Sequence, residues 1–536
     1  MMKFPTLLFG LALGLALVAQ GEDFPQWRGP TRNGLTTTEK PLATTWPKEG
    51  PARRWFYKAP SYHDGGLGSV VVAGGRAFTY ISWRDEEPTL TRTLTERELR
   101  GLGWFPETIP ADLLATVEKA RLSEERAALP EPALDKWVDE FLAKNLTTEA
   151  QKKEFSGVIR DRLKRGAAAL PVEAIGVLGS LKDKEFPTQD ALDAFLAQTT
   201  LGEGLKKRVN EVVPKVRKKD VKDTLVCLDA ATGTQLWKTE FPGKYQDYGT
   251  SCTPCVADGR VYFNGSEGHA YCLSAKDGTL VWKAQLGGSF SHCSVLVAGG
   301  LAVISNRTLF AFDAVTGTEV WKQPEVKTDN CSPVLWQAGQ VSYLLCNTDK
   351  LAYCVELKTG RVAWSMPGGG VSTVAVQGDI MALQTLKDVS AYKISPEKAE
   401  KLWTVEIADR GASPIVANGF VYAVGSGTAL CVKVPDGAVA WRAKYMPCNF
   451  SSPVLVGDKW LVAVGDRELL LAAVMPEKME LLGKVGMKVA PCSSPCFVDG
   501  KLYLRLSNGI GCFDLVNAAP ATSAAMLACA AWSSGM

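Results

Sequence analysis

Five cysteines are the residues of this 536-residue chain whose spacing could support metal or redox chemistry. Cys252, Cys293 and Cys331 occupy the same position in three consecutive sequence repeats, and Cys448 and Cys492 lie a few residues earlier in their own repeats. If the repeats form a ring, all five gather around one mouth of its central channel. The polar residues that the repeat pattern places on the same rim are His63, Asp64, His292 and Asp329.

Three interpretations of this cysteine rim remain open. Thiolate and imidazole groups bind soft metal ions, so cysteines beside His292 would suit a metal or redox site. Cysteines on neighbouring loops of an exported protein could instead form disulfides. The third interpretation is that small side chains fill a tight ring. Changing Cys252, Cys293 and Cys331 to serine tests the first, because it should abolish metal uptake and leave folding intact.

Five further cysteines are explained by packing. They lie six residues before a turn glycine or its equivalent, at a position that other repeats fill with alanine. Small residues that alternate at one position indicate a packed interior site, where cysteine acts as a small apolar residue. These five are Cys227, Cys272, Cys354, Cys431 and Cys512.

The sequence holds no motif of a common catalytic class. There is no CxxCH haem-attachment motif, no glycine-rich phosphate loop and no nucleophile elbow. Only 3 histidines are present, so catalysis by imidazole has few candidates. Carboxylates on the rim, such as Asp64 and Asp329, are more simply explained as solvated or capping loop residues. We therefore assign no catalytic residue and no cofactor or metal ligand from the sequence.

A repeat of about 40 residues must position these side chains. Each copy has a strand that ends in small residues, a Thr-Gly or Asp-Gly turn and then a tryptophan, as in the copy from Cys227 to Trp237. Consecutive tryptophans lie 38 to 45 residues apart, which is the period of a four-stranded propeller blade. A Ser-Pro or Thr-Pro pair such as Thr253-Pro254 opens most copies, and two predicted hairpins follow.

Counting the outer strands predicts eight blades, with seven as the alternative. The residues that mark them are Trp55, Trp237, Trp282, Trp321, Trp364, Trp403, Trp441 and Leu482. The last repeat has no outer strand, whereas Arg54-Trp55-Phe56 is an outer strand without the preceding three. We predict that this N-terminal strand completes the last blade, because ring closure removes exposed sheet edges. The expected fold is an all-β, eight-bladed β-propeller of four-stranded antiparallel blades.

A helical insertion interrupts the first predicted blade. Between Trp83 and Thr224 the apolar periodicity changes to that of helices, with Leu113, Leu114 and Val117 on one stripe. The insertion leaves after the second strand and returns at the third, which predicts a position beside one mouth of the channel. A lid, a platform for a partner and a passive decoration are all compatible with that position.

The two ends of the chain are predicted to lie outside the propeller. Lys3, the apolar run 7–19 and the small residues at 19–21 predict a signal peptide over 1–21, and hence a periplasmic or secreted protein. No later stretch is apolar for long enough to cross a membrane. The other predicted divisions are the closing strand and start of blade one at 22–83, the insertion at 84–223, the remaining blades at 224–517 and an Ala-rich disordered tail at 518–536.

The charges of the chain nearly balance. Its 60 basic and 57 acidic residues leave a net charge of +3, which provides no field that would attract nucleic acid. We therefore expect no nucleic-acid partner and no membrane span once the signal is removed. We expect a monomer that meets a protein partner or an extracellular ligand.

The repeats resemble the PQQ-like β-propeller family. The resemblance rests on Ala-Thr-Gly and Val-Thr-Gly turns before tryptophan, as at Gly233 and Gly317, and covers nearly everything outside the insertion. The opening Pro25-Gln26-Trp27-Arg28-Gly29-Pro30 resembles the start of secreted bacterial members. Two groups share this fold: quinoprotein dehydrogenases, which bind PQQ and calcium, and the propeller subunit of the outer-membrane-protein assembly complex, which has no cofactor.

The resemblance favours a binding role over catalysis. Quinoprotein dehydrogenases use a disulfide between adjacent cysteines against the cofactor, and this chain has no Cys-Cys pair. We therefore expect a non-catalytic scaffold for a protein or ligand, with no cofactor. The alternatives are a PQQ-dependent dehydrogenase with calcium and an atypical site at the channel mouth, and a metal-binding or redox protein that uses the cysteine rim.

Overall fold

A computed structural model describes residues 23–38, 40–43, 46–61, 65–106, 109–244, 249–288, 291–328, 330–408, 411–444, 450–457, 459–465 and 468–516. The predicted signal peptide (1–21) and the predicted disordered tail (518–536) lie outside these residues. The chain divides into two compact units. The first unit runs up to Arg84 and resumes at Asp220, and the second unit is Asp85–Lys219.

The described part of the first unit is built from eight sheets of four antiparallel strands, one of which has an additional fifth strand. The strands of sheets 1 to 4 are Val71–Ala73, Arg76–Pro88, Val216–Asp229 and Gln235–Pro242; Cys255–Ala257, Arg260–Asn264, His269–Ser274 and Leu280–Gln285; Leu296–Ala298, Leu301–Ser305, Leu309–Asp313 and Glu319–Gln323; and Val334–Ala338, Val341–Asn347, Leu351–Glu356 and Val362–Pro367. The helical segment separates the second and third strands of sheet 1, as predicted.

Sheets 5 to 8 continue the same order along the chain. Their strands are Ala375–Gln377, Ile380–Gln384, Asp388–Ile394 and Ala399–Glu406; Ile415–Ala417, Phe420–Gly425, Thr428–Lys433 and Val439–Lys444; Val454–Val456, Trp460–Val464, Glu468–Val474 and Met479–Gly486, with Leu35–Thr36 added in parallel; and Cys496–Val498, Lys501–Leu506, Gly509–Asp514 and Arg53–Lys58. The strand Arg53–Lys58 pairs antiparallel to Gly509–Asp514, which confirms that an N-terminal strand completes the last sheet.

Burial within each sheet explains the sequence pattern. The middle strands are buried on both faces, as in Arg260–Asn264, and they therefore read as continuous apolar runs. The last strands alternate, and in Leu280–Gln285 only Trp282 is buried among residues that are mostly exposed. A single tryptophan in an otherwise polar strand therefore indicates the outer strand of a sheet, in which one side chain is buried by packing.

Tryptophans join neighbouring sheets. The indole N–H of Trp282, on the last strand of sheet 2, donates to the carbonyl of Ala314 in the turn of sheet 3 at 3.0 Å. Equivalent bonds of 2.8 to 3.3 Å are made by Trp55, Trp237, Trp321, Trp364, Trp403 and Trp441. Trp55 of sheet 8 reaches Ala230 of sheet 1. In sheet 7 the strand register places Gly483, and not the predicted Leu482, at this position, and Trp46 packs against Gly483 instead.

A belt of eight Ser and Thr residues runs through all the sheets. Each belt residue lies two positions before the first strand of its sheet, and its backbone N–H donates to the hydroxyl of the next belt residue at 2.8 to 3.1 Å. The order is Ser69, Thr253, Ser294, Ser332, Thr373, Ser413, Ser452, Ser494 and back to Ser69. The cycle therefore closes on itself and links sheet 8 to sheet 1.

Five of the seven Trp-bearing junctions have a turn glycine against the indole, and its contribution can be tested directly. Gly317 has φ +74°, and a Cβ there would lie 2.6 Å from Cδ2 of Trp282, whereas Gly339 has φ +59° and open space around it. Both Gly→Ala changes strain the backbone, but only the first displaces a packed ring. We expect Gly317→Ala to lower the free energy of unfolding by about 1–3 kcal/mol more than Gly339→Ala in urea denaturation. Equal losses would mean that the indole contact contributes nothing.

The second unit is helical. Its helices are Glu96–Leu102, Ala111–Arg121, Glu124–Ala127, Glu131–Asn145, Glu149–Arg165, Val172–Gly179, Gln189–Ala197 and Glu203–Val212; a short 3-10 turn covers Gly166–Ala168, and Arg92–Thr93 pairs with Glu185–Phe186. Thr148 caps the helix Glu149–Arg165 through a reciprocal bond with Gln151, which satisfies backbone N–H groups at the start of this helix. Within the described residues, no helix has the length and apolar character that spanning a bilayer requires.

Candidate functional site

The segment Phe24–Thr36 crosses the centre of the belt, and we call it the plug. It bonds to every sheet or to the residue that leads into it. Its contacts with sheets 1 to 4 are Phe24 with Val72, Pro25 with Val256, Arg32 with Ser294 and Val295, and Arg32 with Pro333. Its contacts with sheets 5 to 8 are Asn33 with Val376, Arg28 with Pro414, Gly34 with Leu455, and Trp27 with Ser494.

Two arginines of the plug are fully buried. The Arg32 guanidinium donates to Oε1 of Gln26 at 2.7 Å and to the carbonyls of Ser294 and Pro333 at 3.1 and 3.0 Å. The Arg28 guanidinium donates to the carbonyl of Pro414 and lies 5.6 Å from the Trp27 ring. Burial lowers the pKa of Arg28 to about 9 and that of Arg32 to about 10, so both remain charged at neutral pH.

Glycines allow the plug to turn inside the channel. Gly29 has φ +84°, and a Cβ there would lie 2.8 Å from the carbonyl of Leu35. Gly34 has φ +71°, and its Cβ would lie 2.9 Å from the carbonyl of Pro453. Only glycine combines this backbone conformation with so close an approach. The Trp-Arg-Gly-Pro sequence is therefore explained by the turn that the channel requires.

A second ring of residues lies two positions before the belt, and we call it the mouth ring. These residues are all partly or largely exposed, whereas the belt is buried. They line a cavity of about 310 Å³ together with Trp27 and the belt residues Ser294, Ser332 and Ser413. The mouth ring, in sheet order, is Leu67, Ser251, His292, Asn330, Val371, Gly411, Phe450 and Cys492. The indole N–H of Trp27 donates to Oγ of Ser494 at 3.2 Å.

His292 is held on one side of the cavity. Its Nδ1 accepts the backbone N–H of Ser251 at 3.2 Å and lies 3.1 Å from Oγ of Ser251. Because a backbone N–H can only donate, Nδ1 carries no proton, and the neutral ring has its proton on Nε2. The cavity thus offers an imidazole whose tautomer is set by the protein backbone.

The structure separates the residues of the predicted cysteine rim. Cys492 belongs to the mouth ring, and His292 does too. Cys252, Cys293 and Cys331 lie between the mouth ring and the belt, and all three are buried. The Sγ of Cys293 donates to the carbonyl of Cys331 at 3.1 Å. The predicted rim residues that lie outside the described residues are His63, Asp64, Asp329 and Cys448.

The geometry of the described rim residues does not form a metal cage. Among the residues that the structure describes, no three His, Cys, Asp or Glu side chains come together as ligands. The pKa of Cys252 is raised to about 12 by burial, and burial also raises the pKa of Cys331. Thiols are poor ligands and poor nucleophiles while they stay protonated. The metal interpretation of the rim remains a prediction.

Thiol labelling tests this arrangement. Iodoacetamide at pH 8 should modify Cys492 in the folded protein and should modify Cys252 and Cys331 only after unfolding in urea, because alkylation needs an accessible thiolate. Peptide mapping by mass spectrometry measures the modified fraction at each site. Cys227, which is buried beside Trp237 on the neighbouring strand, serves as the unreactive control. Rapid native labelling of Cys252 would contradict the observed burial.

The five cysteines assigned to packing are all fully buried. Each of four lies directly opposite the outer-strand tryptophan of its own sheet, as Cys272 does opposite Trp282, and Cys512 lies opposite the N-terminal Trp55. A small residue at that position leaves room for the large indole. This observation confirms the interpretation of these five cysteines as small packing residues.

The described lining of the cavity is uncharged and does not fit PQQ with calcium. PQQ is a polycarboxylate, and bound calcium requires several oxygen ligands, mainly carboxylates. No Asp, Glu, Lys or Arg is among the described lining residues. The lining instead combines two aromatic rings with hydroxyl, amide and imidazole groups, which can bind a neutral ligand but cannot hold a metal-quinone pair.

Two components of this site were not recognised in the sequence. In the sequence Trp27 is only part of an N-terminal motif, and the belt is visible only as Ser-Pro and Thr-Pro pairs that open the strands. The regular spacing of those hydroxyl residues was a signal for the belt. No sequence signal indicated that the plug would lie inside the ring, since nothing in its composition distinguishes it from an exposed tail.

The comparisons with known proteins concern the repeats. Residues 221–443 match the family described as "Outer membrane protein assembly factor BamB". No curated protein matches the chain.

Parts of this chain also match three solved structures. BamB from Moraxella catarrhalis is 14% identical with a TM-score of 0.45, over 55% of this chain and 90% of that one. Quinohemoprotein alcohol dehydrogenase ADHIIG from Pseudomonas putida HK5 is 13% identical with a TM-score of 0.41, over 57% and 74%. Quinohemoprotein alcohol dehydrogenase from Comamonas testosteroni is 12% identical with a TM-score of 0.42, over 56% and 73%.

Proposed function

We propose, on the premise that residues 221–443 match the model of the PQQ-like β-propeller repeat family, that the first unit is a closed eight-bladed propeller that acts as a non-catalytic binding scaffold. The closed cycle of eight belt residues supports eight blades rather than seven. The signal peptide predicted over 1–21 supports a periplasmic or secreted location. A protein recovered after export should begin near Glu22 by N-terminal sequencing, and retention of residues 1–21 would contradict export by cleavage.

The observation that carries the binding role is a blind pocket at the channel mouth. One residue from each of the eight sheets contributes to its wall, and Trp27 of the plug contributes to its lining from within. A cavity of about 310 Å³ is at the lower end of the range for small-molecule sites. Because the plug crosses the centre of the belt, we expect a ligand at the mouth to meet a closed floor instead of passing through the ring.

The closest approach to a catalytic arrangement is the contact of Ser251 with His292. A nucleophilic serine needs a base whose lone pair is available, and here Nδ1 of His292 also accepts the backbone N–H of Ser251. Within the described lining there is no carboxylate to orient the imidazole. Binding is therefore better supported than hydrolysis, and also better supported than a quinone-dependent oxidation.

Two assays test the proposal. Native mass spectrometry of the exported protein should show a bound mass or partner that is lost in Val371→Trp, which fills the cavity, and kept in Val439→Trp, which adds the same ring on an exposed outer strand. Assays with p-nitrophenyl esters, and with PQQ, calcium, alcohols and a dye acceptor, should show no turnover. Turnover that Val371→Trp abolishes would overturn the non-catalytic role.

A further inference from the structure

The mouth pocket combines two kinds of surface. Trp27 and Phe450 supply aromatic faces, and the Phe450 side chain is 40% exposed. The apolar side chains of Leu67 and Val371 complete this part of the wall. An apolar ligand alone would satisfy these groups, but the pocket also contains polar groups that such a ligand would leave without partners.

Three belt hydroxyls face the pocket with a proton to donate. Ser294, Ser332 and Ser413 each accept a backbone N–H, at 3.1, 2.9 and 3.1 Å. A hydroxyl that accepts one bond still has its own proton for a second partner. Within the described protein no acceptor takes these three protons. Because buried donors without partners are costly, a ligand that fills the pocket must carry acceptor oxygens.

The amide of Asn330 adds a donor and an acceptor at the exposed edge of the same pocket. The Arg28 guanidinium of the plug is fully buried and is not among the described lining residues; its Nη2 donates to the Pro414 carbonyl, and its Nε and Nη1 have no partner within the described protein. Its position 5.6 Å from the Trp27 ring fixes that ring by a cation–π contact. A charged ligand would therefore lose its hydration without gaining a counter-ion among the described lining residues.

Resting on the proposed binding function, we propose that the mouth pocket binds one ring of a neutral carbohydrate. The C–H face of a pyranose is apolar and flat enough to lie on Trp27 or Phe450. Its hydroxyl groups both donate and accept, so they can meet the belt serines and the Asn330 amide together. Neither a purely aromatic ligand nor a polycarboxylate satisfies both halves of the pocket.

The pocket also explains why the plug and the binding site belong together. Of the Trp and Phe residues in the described lining, Trp27 comes from the plug and Phe450 from the mouth ring, and Trp27 is positioned by the plug bonds of Arg28 and by its own bond to Ser494. Ligand binding should therefore stabilise the docked plug, and saturating ligand should raise the melting temperature of the intact protein.

Isothermal titration of the full mature chain with neutral oligosaccharides tests the proposal. The probes are cellotriose, xylotriose, maltotriose and mannotriose, with digalacturonate as the charged comparison. We expect at least one neutral probe to bind, with the dissociation constant raised about tenfold by Asn330→Ala through loss of a hydrogen-bonding group. Phe450→Ala should weaken the same probe, and Asn508→Ala, at an exposed turn outside the pocket, should leave its affinity unchanged.

The outcomes separate this proposal from the function on which it rests. Binding of digalacturonate alone, or binding that Asn330→Ala and Phe450→Ala leave unchanged, would overturn the neutral-carbohydrate assignment. Absence of binding by all neutral probes at 10 mM, roughly the weakest affinity of interest for a single-ring site, would also overturn it. The scaffold role would then still be judged by the mass spectrometry of Val371→Trp. Circular dichroism and melting curves of each variant confirm that folding is retained.

Discussion

Arg32→Ala should lower the free energy of unfolding by about 3–5 kcal/mol, because the change breaks a buried, charged hydrogen-bond network. The Arg32 side chain bonds to Gln26 and to carbonyls that lead into sheets 3 and 4. Alanine leaves those carbonyls buried with fewer partners and a cavity inside the channel. Removing the charge also relieves the desolvation that lowers the Arg32 pKa, which offsets part of the loss.

The matched control for this change is Arg361→Ala. The Arg361 side chain is 64% exposed and forms a 3.0 Å ion pair with Glu356, an arrangement that contributes about 1 kcal/mol or less. Urea denaturation followed by circular dichroism measures both variants. If Arg32→Ala lowered the free energy of unfolding no more than Arg361→Ala does, the contacts of the plug with the eight sheets would not contribute to the stability of the ring.

Asp223→Ala should lower the free energy of unfolding by about 3 kcal/mol or more. The buried Asp223 carboxylate accepts the Tyr80 hydroxyl at 2.6 Å, and the Ser266 N–H and hydroxyl at 2.8 and 2.7 Å. Alanine leaves all of these donors buried in the interior between sheets 1 and 2. Thr232→Ala, which loses the exposed bond of the Thr232 hydroxyl to Asp229 in a surface turn, is the control and should cost far less. An equal loss of unfolding free energy in Asp223→Ala and Thr232→Ala would contradict the role of burial at Asp223.

The same carboxyl group gives a pH dependence with a defined sign. Burial raises the pKa of Asp223 above its ordinary value of 3.8, against the opposing effect of its hydrogen bonds. Above about pH 3.8 the unfolded chain releases this proton while the folded protein still holds it. The stability of the wild type relative to Asp223→Asn should therefore fall as pH rises through this range, until the folded group also ionises. If the stability of the wild type relative to Asp223→Asn rose with pH instead, the hydrogen bonds would outweigh burial in setting the pKa of Asp223.

The blades were predictable because their signals are local. A turn glycine such as Gly317 and a tryptophan such as Trp282 lie within one repeat or its neighbour, and positive φ and indole size act over those short distances. The join of Arg53–Lys58 to the last sheet was predictable for a different reason. One incomplete repeat at each end of the sequence leaves only that pairing if the ring closes.

The rim was predicted less well, because neighbouring residues on an extended segment face opposite ways. His292 lines the cavity, whereas Cys293, one residue later, is buried behind it. A sequence pattern that is correct to within one residue therefore cannot distinguish a lining side chain from a buried one. Cys492 lines the cavity because it lies one register position earlier than Cys293 does in its own repeat.

The repeat, its period and the outer-strand tryptophans can be read from the sequence because they depend on contacts within or between adjacent repeats. The helical insertion follows from its own apolar periodicity, and the closing strand follows from the incomplete repeat at each end of the sequence. The closure of the belt over eight residues and the bonds of the plug to all eight sheets or their leading residues appear only in the folded chain. Ser69 and Ser494 meet although they lie at opposite ends of the chain, and Arg32 bonds to carbonyls more than 260 positions away. Such contacts carry no local periodicity, because they exist only once the sheets have been assembled around a common centre.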